Sequence, residues 1–318
     1  MRIPFLLAAF VLLATFAPLG LQRRDPPPAV SLIHFAPVEL DSGAAHSKRL
    51  GRLIFLGGWA LTSNDERFGG ISALHVEAGR VLALSDAGWR STFPLPGGRT
   101  SVRAAIAMME AGPGPADEKQ NRDSESLVVF GRTLWVGYEQ ANSIWRYDRS
   151  GFAVLGSATP RAMARWNANH GAEAMVRLED GRFIVFNEGK GGDSEALLFA
   201  GDPAAAGTAA VRLRYRPPAG FRITDAALLP DGRLALLNRR VGLFEGFTAR
   251  LTVARVPVAQ AGALVEGEEV AAFEGATTRD NFEALSVGRE GGRTILWLAS
   301  DDNYNKLQRT LLLKFALE

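Results

Sequence analysis

The 318-residue sequence contains no cysteine and only four histidines. Without cysteine, disulfide frameworks, thiolate nucleophiles and cysteine-ligated zinc or iron–sulfur centres are excluded. The histidines show no ligand spacing, and the sequence contains no GxSxG, HExxH, GxxxxGK[ST] or GxGxxG motif. Any chemistry in this chain must therefore use oxygen ligands or isolated nitrogen groups.

A strong charge of one sign is also missing, because 36 basic residues stand against 34 acidic ones. Three of the basic residues, Arg2, Arg23 and Arg24, lie near the N-terminus, and no cluster of Lys and Arg is interleaved with aromatic residues. A basic nucleic-acid binder is therefore not expected.

We expect a small anionic or ester substrate and a monomer.

The N-terminal segment is apolar from Ile3 to Leu21 and then becomes polar and proline-rich from Arg23 to Pro28. This pattern predicts that residues 1–28 are a signal peptide or an N-terminal membrane anchor. Pro18 directly follows the small-residue pattern that ends at Ala17, which disfavours cleavage there. We therefore expect a periplasmic or secreted protein, tethered to the membrane if the segment is not cleaved, with one domain over residues 29–318.

One two-strand pattern is repeated five times, about 50 residues apart, which is close to the spacing of propeller blades. Each copy has two short apolar stretches joined by a glycine turn that ends in Arg, which predicts a β-hairpin. We expect an all-β fold, a single β-propeller of four-stranded blades, with five blades and six as the alternative. The copies cover residues 71–86, 125–139, 173–188, 225–239 and 283–301.

Further apolar segments supply the outer strands of the predicted blades. To close the ring, we expect residues 31–39 or 52–61 to pair with the C-terminal strand. Residues 101–123 are expected to form a short helix and a polar loop that caps one face. The third strands are predicted at residues 143–148, 196–200, 250–258 and 309–317, and fourth strands at 211–217 and 268–274.

Acidic residues recur at the ends of the repeat, and corresponding positions of different blades converge on the propeller axis. Two rings of carboxylates are therefore predicted. The first strands begin with Ser72, Glu125, Glu173, Asp225 and Glu283. The second strands end with Asp86, Glu139, Glu188, Arg239 and Asp301.

Crowded carboxylates repel one another, so such rings need a cation, bound protons or arginine partners. Hard oxygen ligands select calcium or magnesium over zinc. The alternative is that each acid caps a turn or pairs with a nearby Arg. Arg239 and Arg240, with Lys119, Arg122, Lys306 and Arg309, are candidates for binding an anionic group. The predicted metal ligands are Glu125, Glu173, Asp225 and Glu283, with Asp86, Glu188 and Asp302 as further candidates.

These same segments resemble the bacterial family described as "esterase-like activity of phytase", over nearly all of the chain after the N-terminal segment. The segments that carry the resemblance are residues 68–89, 122–139, 169–189, 223–240 and 280–317.

The resemblance implies a relation to β-propeller phytases, which use calcium to bind substrate phosphates and activate water. On that basis we expect a calcium-dependent hydrolase of phosphate esters or related esters. Glu173 and Glu283 would act at the metal, and Arg240 and Lys306 would position the anionic group. The alternatives are a lactonase-like or carboxylesterase-like propeller with one axial calcium, and a non-enzymatic binding scaffold of the cell envelope.

Overall fold

The computed structural model describes residues 27–41, 48–116 and 118–318. These residues contain 23 β-strands and two short 3-10 turns, and no α-helix. The predicted signal or anchor lies almost entirely outside the described part of the chain. Within that part, no helix has the length and apolar character needed to cross a membrane.

Short strands rich in Leu, Val, Ile and Phe form five antiparallel sheets, which follow one another along the chain. The strands before them are β1 (Ser31–Pro37), β2 (Arg49–Leu50) and β3 (Leu53–Ser63). Sheet one contains β4 (Ile71–Glu77), β5 (Arg80–Ser85), β6 (Trp89–Pro94) and β7 (Ser101–Met108). Sheet two contains β8 (Ser124–Phe130), β9 (Thr133–Tyr138), β10 (Ser143–Asp148) and β11 (Val154–Ala158).

One short strand from the chain segment of sheet four pairs with sheet three. Sheet three contains β12 (Ala172–Arg177), β13 (Phe183–Asn187), β14 (Ser194–Phe199) and β15 (Ala210–Arg216). Sheet four contains β16 (Arg222–Leu228), β17 (Leu234–Gly242), β18 (Gly246–Ala254) and β20 (Glu268–Phe273). Between β18 and β20 the chain returns to sheet three, where β19 (Leu264–Glu266) pairs in parallel with β15.

Sheet five consists of β21 (Phe282–Glu290), β22 (Arg293–Ser300), β23 (Thr310–Leu317) and the N-terminal β3. The predicted closure is confirmed, because β3 pairs with β23 along its length, from Leu61 opposite Thr310 to Leu53 opposite Leu317. β1 then pairs with both β3 and β7, so the outer strands of sheets five and one are joined. The N-terminal strands thus remove an open edge between the first and last sheets.

The first strands of the described sheets form a closed ring, in which β4 contacts β8, β8 contacts β12, β12 contacts β16, β16 contacts β21 and β21 contacts β4. Each of these strands pairs with a second strand through a hairpin, as the repeat predicts. The β-propeller prediction is therefore confirmed by the strand pairing. The first strands surround a central channel.

The hydrophobic core lies between neighbouring sheets, where aliphatic and aromatic side chains of adjacent blades interlock. The predicted helix at the start of residues 101–123 is wrong, because this segment is strand β7. Val102 and Ile106 are buried there, and β7 pairs with β6 on one edge and β1 on the other. Backbone pairing on both edges overrides the helical preference of its alanines.

Candidate functional site

Every first strand begins, and every second strand ends, at one end of the channel, which we call the acidic end. There the N–H of Glu139 donates to the carbonyl oxygen of Asp123, and the N–H of Asp86 donates to that of Gly70 in the same way. The five predicted second-strand ends therefore occupy corresponding positions, as the sequence predicts, although β17 continues past Arg239 to Gly242. These residues are Asp86, Glu139, Glu188, Arg239 and Asp301.

A β-bulge lies near the start of every first strand, where one extra residue is left out of the pairing. A bulge changes the direction in which the side chain of the extra residue points, and bulges often place side chains at functional sites in this way. The bulge thus brings a side chain of each sheet to the mouth of the channel. The residues left out are Ser72, Glu125, Glu173, Thr224 and Glu283.

Thr224, and not Asp225, occupies the bulge of sheet four, so the predicted head Asp225 lies one residue after the position that corresponds to the other four heads. The Thr224 hydroxyl donates to the carbonyl oxygen of Phe282, 3.2 Å away in sheet five. The Asp225 carboxyl accepts the N–H groups of Ala226 and Leu285, each at 2.7 Å, and is 4 % exposed. Asp225 thus joins sheets four and five through backbone groups.

Three carboxyl groups of sheet two converge at the acidic end. Asp123 precedes β8, Glu125 occupies the bulge of β8, and Glu139 follows β9. One oxygen from each of them lies within 4.8 Å of the other two. Burial raises the pKa of Glu139 to about 8, and the charge of Asp123 adds to the rise. Burial and the charge of Asp123 also raise the pKa of Glu125 well above its usual value. We call these three residues the triad.

Sheet three adds two buried acids with different surroundings. Glu173 hydrogen-bonds to Glu139, and burial together with the charge of Glu188 raises the pKa of Glu173 well above its usual value. Glu188 is surrounded by nitrogen groups: its Oε2 lies 2.6 Å from His170 Nδ1 and 3.2 Å from an Arg222 Nη atom. Glu188 is therefore engaged by protein cations and hydrogen-bond donors, whereas Glu173 adjoins the triad.

Sheets one and five complete the ring. Burial raises the pKa of Glu283 to about 7, and the nearby Arg239 opposes this rise. Burial, with the charge of Asp86 next, raises the pKa of Asp301 well above its usual value. Asp86 Oδ2 accepts a 2.6 Å hydrogen bond from Lys119, while its Oδ1 is buried and has no hydrogen-bond partner among the described residues. The ring therefore contains more carboxyl groups than cations that pair with them among the described residues.

Lys119 is the cation that reaches this side of the ring, and its side chain is 62 % exposed. It belongs to the loop that connects β7 to β8. Arg122 organises the loop, because its buried guanidinium donates to the carbonyl oxygens of Met109 at 2.7 Å, Glu110 at 2.7 Å and Pro113 at 2.6 Å. Arg122 therefore holds the loop in place through backbone carbonyl oxygens, whereas Lys119 donates to Asp86 and keeps most of its side chain exposed.

Three other predicted site residues lie outside the ring. Asp302 accepts the N–H of Gly70 at 2.8 Å and the hydroxyl of Thr310 at 2.7 Å, so its carboxylate is engaged in the loop after β22. The Arg240 guanidinium lies 4.9 Å from the centre of the Phe221 ring. Lys306 is exposed on the loop between β22 and β23.

Asp123 is the triad residue that the repeat did not reveal. It lies two residues before Glu125, and Asn281 stands in the same relation to Glu283. An oxygen-bearing side chain two residues before the bulge is thus a signal shared by sheets two and five.

The opposite end of the channel, which we call the apolar end, has a different character. A cavity of about 390 Å³ opens there between the ends of the first strands. His75, Arg177 and Glu179 are its charged or titratable lining residues. Its apolar lining comes from all five first strands and includes Leu74, Leu127, Met175, Leu228 and Leu285.

Comparison with known proteins identifies the sequence family. The model of the phytase-like family, described as "esterase-like activity of phytase", matches residues 66–304. The resemblance seen in the sequence is therefore confirmed. No curated protein matches the chain.

Two solved structures are similar in outline. The major allergen Mala s 1 of Malassezia sympodialis is 10% identical, with a TM-score of 0.46 and coverage of 77% of this chain and 92% of that one. The Cps50 (Swd1) β-propeller domain of Myceliophteria thermophila is 11% identical, with a TM-score of 0.40 and coverage of 88% and 100%. These similarities are too distant to add to what the strand pairing shows.

Proposed function

Because the chain belongs to the phytase-like family described as "esterase-like activity of phytase", we propose that it hydrolyses phosphate esters or related esters with the help of bound calcium. The family and the fold together indicate a hydrolase-like or ligand-binding propeller. The observation that carries the proposal is the triad, whose three carboxylate oxygens lie within 4.8 Å of one another at the mouth of the channel.

The donor chemistry of the triad fits a hard divalent cation. Carboxylate oxygens are the ligands that calcium prefers, and Asp123, Glu125 and Glu139 supply three of them. Asp86 Oδ1, buried without a partner among the described residues, adds a further oxygen of the ring. When bound, a divalent cation polarises an ester oxygen and makes a nearby water more acidic.

The residues around the triad have separate tasks in this proposal. Lys119 donates to Asp86 and exposes most of its side chain, so its amine is placed to hold an anionic group of the substrate. Glu173 hydrogen-bonds to Glu139 and orients that carboxyl group. Arg122 fixes the loop that carries Lys119. Arg240 and Lys306 stay predictions as substrate-positioning residues.

We also infer export, on the apolar run of residues 3–21. In this proposal the protein acts as a monomer in the periplasm or outside the cell, tethered to the membrane where the N-terminal segment is retained. Cell fractionation combined with mass determination of the mature N-terminus tests both points. Recovery of the intact chain from the cytosol would contradict them.

The activity is tested with the full chain after removal of metals by a chelator. Calcium is titrated by calorimetry, and turnover is followed on p-nitrophenyl phosphate, an inositol phosphate, p-nitrophenyl acetate and a lactone. Glu125→Gln removes one triad carboxylate, and Glu77→Gln, on the other face of the propeller, is the matched control.

The proposal predicts saturable calcium binding and calcium-dependent turnover of a phosphate ester, both lost in Glu125→Gln and kept in Glu77→Gln. Turnover of the lactone or carboxyl ester alone would indicate the lactonase-like alternative. Calcium binding without turnover of any ester would indicate a binding scaffold. Either of these results would overturn the proposed phosphate-ester activity.

A further inference from the structure

Arg239 interrupts the acidic end in a specific way. In the described structure an acid directly follows four of the five second strands, whereas the corresponding position of the fourth is this arginine, and β17 continues past it to Gly242. Its Nη1 lies 3.1 Å from Glu283 Oε1 and 2.8 Å from Asn281 Oδ1, and its Nη2 lies 3.6 Å from Glu188 Oε1. Its side chain is only 18 % exposed.

The partners of Arg239 form the donor set of a hard cation. Two carboxylates and one amide oxygen surround the guanidinium, and such oxygens also bind calcium. Glu283 and Glu188 belong to the sheets on either side of sheet four, so Arg239 neutralises acids from both neighbours. In contrast, no described lysine or arginine forms an ion pair with the triad carboxylates.

We propose that Arg239 is a built-in counter-cation that takes the place of a second metal ion in the ring. Resting on the proposed calcium site, this assigns one divalent ion to the triad and the guanidinium to Glu188 and Glu283. Removal of the guanidinium leaves the buried Glu283 without its arginine partner next to Asn281, and leaves Glu188 with His170 and Arg222 only. The vacated position then becomes a second divalent-cation site.

The test is a calorimetric calcium titration of the metal-free full chain, as wild type and as Arg239→Met. We expect one ion in the wild type and two in Arg239→Met. Arg239→Lys, which keeps a positive charge at this position, should again bind one ion. The double variant Arg239→Met/Glu283→Gln should lose the additional ion. Thermal unfolding of Arg239→Met should shift upward on addition of calcium by more than that of the wild type.

An unchanged count of one ion in Arg239→Met would overturn the inference and leave the proposed function intact. No ion in the wild type and one in Arg239→Met would support the inference and remove the calcium dependence of the proposed function. The two failures are therefore distinguishable.

Should Arg239→Met not fold with or without calcium, Glu283→Gln in the otherwise unchanged chain provides the decision. Because Arg239 holds Glu283, this variant should still bind one ion, with affinity weakened by less than about tenfold. Loss of binding would show that the metal uses Glu283, which would overturn the inference.

Discussion

The two ends of the channel are built from the same five strands and differ in the chemistry of their side chains. At the acidic end, bulges and strand ends bring together acids whose burial raises their pKa values, as for Glu139 and Glu283. At the apolar end, Leu74, Met175 and Leu285 are buried between the sheets beside the cavity. One end stabilises the ring by apolar burial, and the other gathers buried acids that outnumber their cation partners among the described residues.

This difference shows where the fold gains stability and where it keeps a site. Apolar burial contributes about 25 cal/mol per Å² and requires no partner. Burying an acid costs free energy, which Arg239 offsets on one side of the ring, whereas no described lysine or arginine forms an ion pair with the triad. Functional sites are where such perturbed groups concentrate.

The largest expected effect is at the apolar end. Leu74 is 4 % exposed and packs in the cluster between sheets one and five. Leu74→Ala should lower the free energy of unfolding by about 2–5 kcal/mol, because the deletion removes buried surface and leaves a cavity. Urea unfolding measures the loss, and calorimetry should show calcium affinity unchanged. A loss of calcium affinity would indicate that the two ends are coupled.

Asp225 and Glu125, two acids at the acidic end, should change the stability with opposite signs. Asp225→Asn should cost about 1–3 kcal/mol, because the amide nitrogen cannot accept the backbone N–H that one carboxyl oxygen accepts now. Glu125→Gln should stabilise the metal-free protein by about 1 kcal/mol, because a neutral amide avoids the free-energy cost of burying an acid beside Asp123. Urea unfolding in the presence of chelator compares the stabilities of the two variants. If both substitutions destabilised the protein, Asp225 and Glu125 would not differ as a structural acid and a site acid.

Much of the architecture follows from the sequence, because hairpins with Gly-Arg turns recur five times and each needs neighbours to bury its faces. The pairing of β3 with β23 follows too, since the C-terminal sheet lacks a fourth strand of its own. The site is less predictable. In sheet four the bulge lies at Thr224, one residue before the acid that the repeat aligns with the other heads. An alignment of the repeats does not reveal this shift, because the apolar pattern is the same in either alignment.

The loop before β8 illustrates the second limit. Its path is fixed by the bonds of Arg122 to backbone carbonyl oxygens, and such bonds have no sequence signature. From the sequence alone, Lys119 and Arg122 are therefore equal candidates for binding an anion. In the structure Lys119 reaches Asp86, while Arg122 is buried in its own loop.

The last contrast between the two ends is the sign of the pH dependence of stability. At the acidic end, the pKa of Glu139 is about 8 and that of Glu283 about 7, both above the ordinary value of 4.5. The folded state therefore holds these protons more tightly than the unfolded state. Their contribution to stability is fully present below pH 4.5 and is lost as the pH rises toward about 8. Glu139→Gln should reduce this loss in the metal-free protein.

At the apolar end the sign is reversed for His75. Burial lowers its pKa below 6.5, the Arg149 charge adds to this, and Glu77, with an oxygen 3.7 Å away, opposes it. His75 therefore contributes stability above pH 6.5 that is lost as the pH falls through its folded pKa. His75→Gln should abolish this low-pH loss without changing the behaviour of the acidic end near pH 8. The midpoints of urea unfolding, measured in chelator across this pH range, test both signs. If the metal-free protein gained stability as the pH rose from about 7 to about 8, the raised pKa values of the ring would be contradicted.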